Sequence, residues 1–203
     1  SYIHEHPEEY LSAMGNVGDA VIEGGLPATG EDASLPKHTR ESASGNYGKE
    51  FTADEVKGLG TALMRDSYSS GFLNTVNTLE AIAEDNPNES LRLAAIEALE
   101  TAATEQYTHY IVRWYVVYSL GKMTLTGTDK LTRLAAITAF GKTLSEMPDH
   151  GYNLIADVIR RITERNPAFF ILMYPIINNI VKQNKADLVG TIANNLPPLS
   201  TTA

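Results

Sequence analysis

The sequence predicts an all-α protein, built as a stack of antiparallel helix pairs with about seven or eight helices in all. Three observations lead to this prediction. From Thr52 onward, apolar residues recur with the period of an α-helix. Capping and turn residues divide this region into segments of helix length. An eight-residue motif also recurs along the chain, which is typical of proteins made from stacked helical units.

The first helix of this region is predicted to begin after Thr52. The segment Thr52-Ala-Asp-Glu55 is a capping box, in which the threonine hydroxyl binds a free N–H group of the first turn and the glutamate reaches back. This helix is expected to run to about Arg65. A second helix is expected over about 70–84, where Asp85-Asn86-Pro87 ends it. Its apolar stripe comprises Phe72, Val76, Leu79 and Ile82.

The internal repeat joins two segments of the chain. Arg92–Leu99 and Arg133–Phe140 are identical at six of eight positions and lie 41 residues apart. A weaker copy, Arg113–Leu120, lies midway between them. A step of about 20 residues corresponds to one helix and a turn, and a step of 41 residues corresponds to a helix pair that buries its apolar face against the next pair. The small residues expected to allow close helix packing are Ala95, Ala98, Ala136 and Ala139.

The repeat resembles the second helix of HEAT-like repeats. It has an arginine near the helix start, then Ala-Ala, and a glycine after the copies at Arg113 and Arg133. Asn88 and Asp129 each precede the repeat arginine by four residues and are good N-caps. The resemblance covers residues 88–145 and is to the HEAT-like family of the phycobilin-lyase type. It implies a right-handed superhelix with a concave binding face, and it implies no particular ligand.

The two ends of the chain are predicted to differ from this central region. Residues 1–50 hold seven of the 15 glycines and carry a net charge of -6, so we expect an extended acidic arm with one short helix around 6–14. Residues 51–200 are expected to form the helical domain. Its last helices are predicted over about 151–165, over about 167–183 with a kink at Pro175, and over about 186–195.

Composition narrows the classes of function. The net charge of -9 disfavours nucleic-acid binding and binding to anionic membranes. The chain has no cysteine, which excludes disulfides, thiolate nucleophiles and cysteine–zinc sites. The most apolar run, Phe169–Ile177, is too short to cross a bilayer, so no membrane insertion is expected. The sequence fits the cytoplasm and, after removal of a signal peptide, a bacterial extracytoplasmic space equally well.

An aromatic cluster gives the best candidate for a binding surface. Tyr107, Tyr110, Trp114 and Tyr118 follow the spacing i, i+3, i+7 and i+11, which predicts that they line one face of a helix. The opposite face carries Ile111, Val112 and Val116. A helix that is apolar on both sides lies in the middle of a core or meets a partner. Tyrosine and tryptophan are typical anchors of protein interfaces, so we interpret this face as a protein-binding surface.

The repeat arginines, Arg92, Arg113 and Arg133, have two interpretations. The first is a structural ladder, in which each guanidinium pairs with an acid or binds a carbonyl of a neighbouring repeat. The second is a row of cations that faces a ligand. Because the arginines recur with the architecture, the structural ladder is the preferred interpretation.

Two further groups of residues were weighed as sites. His4-Glu5-His6 could contribute metal ligands, but adjacent residues do not share a helix face, and no metal site is predicted. Arg160, Arg161 and Arg165 share a face of one helix, as in HEAT-like proteins that grip DNA, but the overall charge opposes nucleic-acid binding. No phosphate-binding loop, zinc-protease motif or serine-hydrolase motif is present.

The sequence therefore predicts a non-catalytic scaffold subunit that binds a protein partner or a second copy of itself, without a cofactor. Two alternatives remain open at this point. One is an accessory enzyme of the chromophore-lyase type, which would share the HEAT-like architecture. The other is a nucleic-acid-binding HEAT-like protein, which the acidic charge disfavours.

Overall fold

A computed structural model describes residues 50–65, 71–127, 129–147, 151–167, 169, 173 and 186–195. Within these residues the chain forms seven α-helices and no strand, which confirms the predicted all-α fold. The helices are α1 (Ala53–Arg65), α2 (Phe72–Asp85), α3 (Glu89–Thr104), α4 (Tyr110–Thr126), α5 (Lys130–Glu146), α6 (Tyr152–Arg165) and α7 (Ala186–Asn195). The predicted arm over 1–50, the short helix within it and most of the helix over 167–183 lie outside the described residues.

Local capping signals set the start of three helices as predicted. The Thr52 hydroxyl accepts a hydrogen bond from the Glu55 backbone N–H at 3.3 Å, and the Glu55 carboxylate accepts one from the Thr52 N–H at 2.9 Å. The Asn88 side chain accepts from the Ser90 N–H at 2.9 Å at the start of α3. Asp129 does the same for the Thr132 N–H at 2.7 Å, before α5. These bonds satisfy donors that an α-helix leaves unpaired at its first turn.

The chain divides into two compact units. The structure describes residues 50–146 of one, and residues between 147 and 195 of the other. In the first unit each helix packs against the next helix and against the one after it, so α1, α3 and α5 form one layer and α2 and α4 form the other. The 41-residue repeat therefore places its two best copies, on α3 and α5, side by side within one layer. This is a stack of helix pairs, as the sequence predicted.

The interior of the first unit lies between these layers. The predicted stripe of α2 is buried, and so are the predicted small residues of α3 and α5. Among the largest buried side chains of the unit are Leu63, Leu79, Leu99, Leu120, Met123, Phe140 and Leu144. In the second unit α6 packs against α7 and buries its apolar face, which includes Leu154, Ile155, Val158, Ile159 and Ile162.

Helix α1 comes very near to α3 at Gly60. A Cβ atom built on Gly60 would lie 2.9 Å from the Cβ of Ala98 and 3.2 Å from its Cα. These distances are shorter than ordinary van der Waals contacts, so the glycine lets the two helices meet with almost no space between them. Gly58, two residues earlier on the same helix, is exposed and would place its Cβ in open space.

The two glycines of α1 give a matched pair of substitutions. Gly58→Ala should stabilise the protein by about 0.5–1 kcal/mol, because alanine loses less backbone entropy than glycine in a helix. Gly60→Ala should destabilise it by about 1–3 kcal/mol, because overpacking against Ala98 outweighs the same gain. Urea unfolding followed by circular dichroism measures both changes. Equal stabilisation by both substitutions would contradict the close contact between α1 and α3.

Candidate protein-binding surface

Helix α4 is apolar on two sides. One side is buried and packs against α2, α3 and α5; it includes Val112, Val116, Val117, Leu120 and Met123. The other side carries Trp114 and Tyr118, which are half-buried, and Tyr115, which is 37% exposed. A helix in contact with water on one side ordinarily carries polar residues there. The aromatic side of α4 therefore departs from the pattern of a solvent-exposed helix.

The rings on this side form a connected cluster. Trp114 and Tyr118 are stacked, with ring centroids 5.2 Å apart and planes only 7° from parallel. Tyr115 meets Trp114 edge-on at 5.1 Å and also meets Phe72 of α2 edge-on at 5.5 Å. Both arrangements are favoured by the charge distribution of aromatic rings. The contact with Phe72 ties the cluster to the neighbouring helix of the same layer.

The structure corrects the predicted position of Tyr107. Helix α4 begins at Tyr110, and Tyr107 lies in the turn that precedes it. The helix starts late because the His109 side chain caps it, accepting a hydrogen bond from the Ile111 N–H at 3.3 Å. Tyr107 is 83% exposed and Tyr110 is 59% exposed. We call Tyr107, Tyr110, Trp114, Tyr115 and Tyr118 the aromatic surface.

The three repeat arginines bind the backbone at equivalent points. Arg92 donates to the Asn86 carbonyl at 2.8 Å, and Arg133 donates to the Gly127 carbonyl at 3.0 Å. Arg113 donates to the Glu105 carbonyl at 2.5 Å. Each acceptor is the residue that caps the C-terminus of the preceding helix, where carbonyl groups lack partners within the helix. The arginines thus hold each turn against the helix that follows it.

Arg92 also joins neighbouring helix pairs. Its guanidinium donates to the Asp129 carboxylate at 2.7 Å and to the Thr132 hydroxyl at 3.3 Å. Arg113 makes its bonds in the interior, with 5% of its surface exposed, and burial lowers its pKa while the Glu105 carboxylate opposes this effect. All three guanidinium groups make structural hydrogen bonds, which favours the structural ladder over a row of cations that faces a ligand.

Gly127 shows why the turn before α5 needs a small residue. A Cβ atom at this position would lie 2.8 Å from the Cγ of Arg133 and 3.0 Å from the Met123 carbonyl oxygen. The backbone φ of Gly127 is -50°, so the glycine is required by the close approach of Arg133 and not by its backbone conformation.

Carboxylate–lysine pairs link the helices within each layer. Lys122 of α4 donates to Glu80 of α2, and Lys142 of α5 donates to Glu100 of α3 at 2.5 Å. The Thr126 hydroxyl donates to Glu84 at 2.7 Å. Each of these pairs spans 42 residues, one more than the sequence repeat. These pairs were not predicted, although the sequence repeats an acid and a base at this spacing.

The network beside Lys122 contains two carboxylates. Burial and the like charge of Glu80 raise the pKa of Glu84. Burial lowers the pKa of Lys122, but attraction to Glu80 and Glu84 is stronger and raises it overall. Glu80 also accepts a hydrogen bond from the Ser119 hydroxyl at 2.5 Å. Two carboxylates and one ammonium group leave negative charge along this edge of α4.

The basic residues of α6 are balanced by acids on the same helix. Arg160 donates to Asp157 and to Glu164, each at 2.7 Å, and Arg161 donates to Asp157 at 2.9 Å. Arg165 lies in the last turn of α6. Two of the three arginines considered for the disfavoured nucleic-acid contact therefore bind carboxylates, which lowers the positive potential of this face.

Other kinds of site were sought in the part of the chain that the structure describes. There, no cluster of three or more histidine, aspartate or glutamate side chains is placed to hold a metal ion. The segment His4-Glu5-His6, for which the sequence predicted no metal site, lies outside the described residues. No described helix is both long enough and apolar enough to span a bilayer.

Comparison of the chain with models of protein families, with curated proteins and with solved structures gives no significant match. The resemblance to HEAT-like repeats thus rests on the motif within residues 88–145. The aromatic surface is supported by the geometry described above and by nothing inherited from a relative.

Loss of Arg92 should weaken the link between helix pairs. Arg92→Met keeps the apolar part of the side chain and removes the bonds to Asn86 and Asp129. We expect the free energy of unfolding to fall by about 1.5–3 kcal/mol, the range for hydrogen bonds that involve charged groups. Arg65→Met, at an exposed position of α1, is the control and should change it by about 0.5 kcal/mol or less. Similar effects of both substitutions in urea unfolding would show that Arg92 contributes no such link.

Asp129 should make stability depend on acid pH. Hydrogen bonds from Thr132 and attraction to Arg92 and Arg133 hold the pKa of Asp129 below its ordinary value. This contribution is complete above the unfolded pKa of about 3.9 and is lost as pH falls through the lower folded value. Asp129→Asn keeps a capping oxygen and removes the charge. The stability difference between the two proteins, measured by urea unfolding across pH, should be largest near neutrality and shrink in acid. A difference that stays constant would contradict this role.

Proposed function

We propose that this chain is a non-catalytic scaffold subunit that binds a protein partner through the aromatic surface of α4. The observation that carries the proposal is the exposure of Tyr110, one helical turn before the stacked rings of Trp114 and Tyr118, and of Tyr107 in the turn that leads into α4. Aromatic side chains bury large areas, about 150–250 Å² each, and they dominate the energetics of many interfaces. Four of the five rings lie on α4 and Tyr107 lies in the turn before it; the two most exposed, Tyr107 and Tyr110, have the most area left to bury against a partner.

The surroundings of the aromatic surface also support this proposal. Helix α4 packs against three neighbouring helices. It is also held by the hydrogen bond from Arg113 to the Glu105 carbonyl and by the salt bridge between Lys122 and Glu80. Rings on such a support are ordered before a partner arrives, which reduces the entropy lost on binding. The resemblance of residues 88–145 to HEAT-like repeats adds an expectation of protein binding, since such stacks present extended surfaces.

Site-specific photocrosslinking tests the proposal. A benzophenone amino acid at Tyr110 should form a discrete crosslinked protein species in extracts of cells that produce this chain. The same amino acid at Glu97, exposed on α3 in the other layer, is the control and should not form that species. Identical products from both positions, or none from position 110, would refute the aromatic surface as the binding site.

A double substitution gives the matching loss of function. Tyr107→Ala with Tyr110→Ala removes two exposed rings and should change the free energy of unfolding by about 0.5 kcal/mol or less. The partner identified by crosslinking should bind this variant at least about tenfold more weakly, because interface tyrosines are frequent hot spots. Titration calorimetry with the purified partner measures the change, and unaltered affinity would contradict the proposal.

A further inference from the structure

Negative charge borders the aromatic surface on two sides. Glu105 lies in the segment that leads into α4, two residues before Tyr107. Along the edge toward α2, Glu80 and Glu84 together outnumber the single ammonium group of Lys122. Tyr118 is close enough to Lys122 to contribute to its pKa, which places this network beside the aromatic rings. One carboxylate therefore shortly precedes the rings in the chain, and a network with two carboxylates lies beside Tyr118.

The cations of the 50–146 unit are mostly engaged in structure. Arg92, Arg113 and Arg133 bind turn carbonyls, and Lys122 and Lys142 bind glutamates of the neighbouring helix. Exposed acids such as Asp54, Glu89 and Glu97 belong to the same unit. Residues 51–146 hold 12 acidic and eight basic side chains, a net charge of -4, so the field that an approaching partner meets is acidic.

We propose that the aromatic surface binds a basic segment of a protein partner through arginine side chains that stack on its rings. This inference rests on the proposed function and names the chemistry of the partner. A guanidinium group is planar and weakly hydrated, so it stacks on an aromatic face while keeping its charge. Trp114 and Tyr118 stack on each other, so the added guanidinium group extends this stack or covers the exposed rings of Tyr107 and Tyr110. Glu105 and the Glu80–Glu84 pair supply the opposite charge.

Trp114 provides a direct test because it is the only tryptophan of the chain. Its fluorescence reports on the aromatic surface without a label. The purified full chain is titrated with a short peptide that alternates arginine and glycine. Matched peptides carry citrulline, which is a neutral isostere of arginine, or lysine, which has the same charge without the planar group.

The arginine peptide should change Trp114 fluorescence saturably, and its affinity should fall as salt is added. The citrulline and lysine peptides should bind at least about tenfold more weakly, because one lacks the charge and the other lacks the stacking group. The Glu105→Gln variant should bind the arginine peptide several-fold more weakly, and so should the double variant Tyr107→Ala, Tyr110→Ala. The control Glu97→Gln changes an acid in the other layer and should leave the affinity unchanged.

The other outcomes separate this inference from the proposed function. If the lysine peptide bound as tightly as the arginine peptide, charge alone would explain the affinity. If the citrulline peptide bound as tightly, charge would not contribute to the affinity. Either result overturns the arginine proposal. No binding of any peptide, together with a specific crosslink from position 110, also overturns it and leaves the scaffold function intact. Absence of both the peptide signal and the crosslink would overturn both.

Discussion

The bonds of Arg92 hold the central part of the structure in register. One planar guanidinium group reaches the Asn86 carbonyl at the end of α2 and the Asp129 carboxylate before α5. Asp129 in turn caps α5 through the Thr132 N–H. A lysine could not make these bonds together, because its ammonium group is a single point of charge and lacks the fixed fork of donors. With α3 and α5 aligned in this way, Glu100 meets Lys142.

Much of this fold followed from local sequence signals. The capping box at Thr52–Glu55 and the caps Asn88 and Asp129 act over two or three residues, so their effect is visible without knowledge of the fold. The start of α4 was not visible in this way. The aromatic periodicity continues back to Tyr107, but the helix begins at Tyr110. The His109 cap and the hydrogen bond from Arg113 to the Glu105 carbonyl fix its first residue. Hydrogen bonds within this turn and the first turn of α4 therefore override the aromatic spacing.

The candidate site shows the same division. Its ring residues could be identified from spacing, because aromatic side chains on one face of a helix form a simple periodic pattern. The contacts around these rings could not be identified from spacing. The contact between Phe72 and Tyr115 and the network of Glu80, Glu84 and Lys122 depend on which helices lie side by side and at what offset. The Glu80–Lys122 spacing of 42 residues is present in the sequence, but only the packed helices show that residues at this spacing meet.

The order of contacts among α1–α5 also bears on how the chain acquires its structure. Each of these helices packs against the next one and the one after it. Loops that close between such neighbours are short and cost little chain entropy. Proteins dominated by such local contacts fold quickly, in about microseconds to milliseconds. During synthesis each helix can pack as soon as its neighbour has left the ribosome, so the unit can assemble progressively from its N-terminal side.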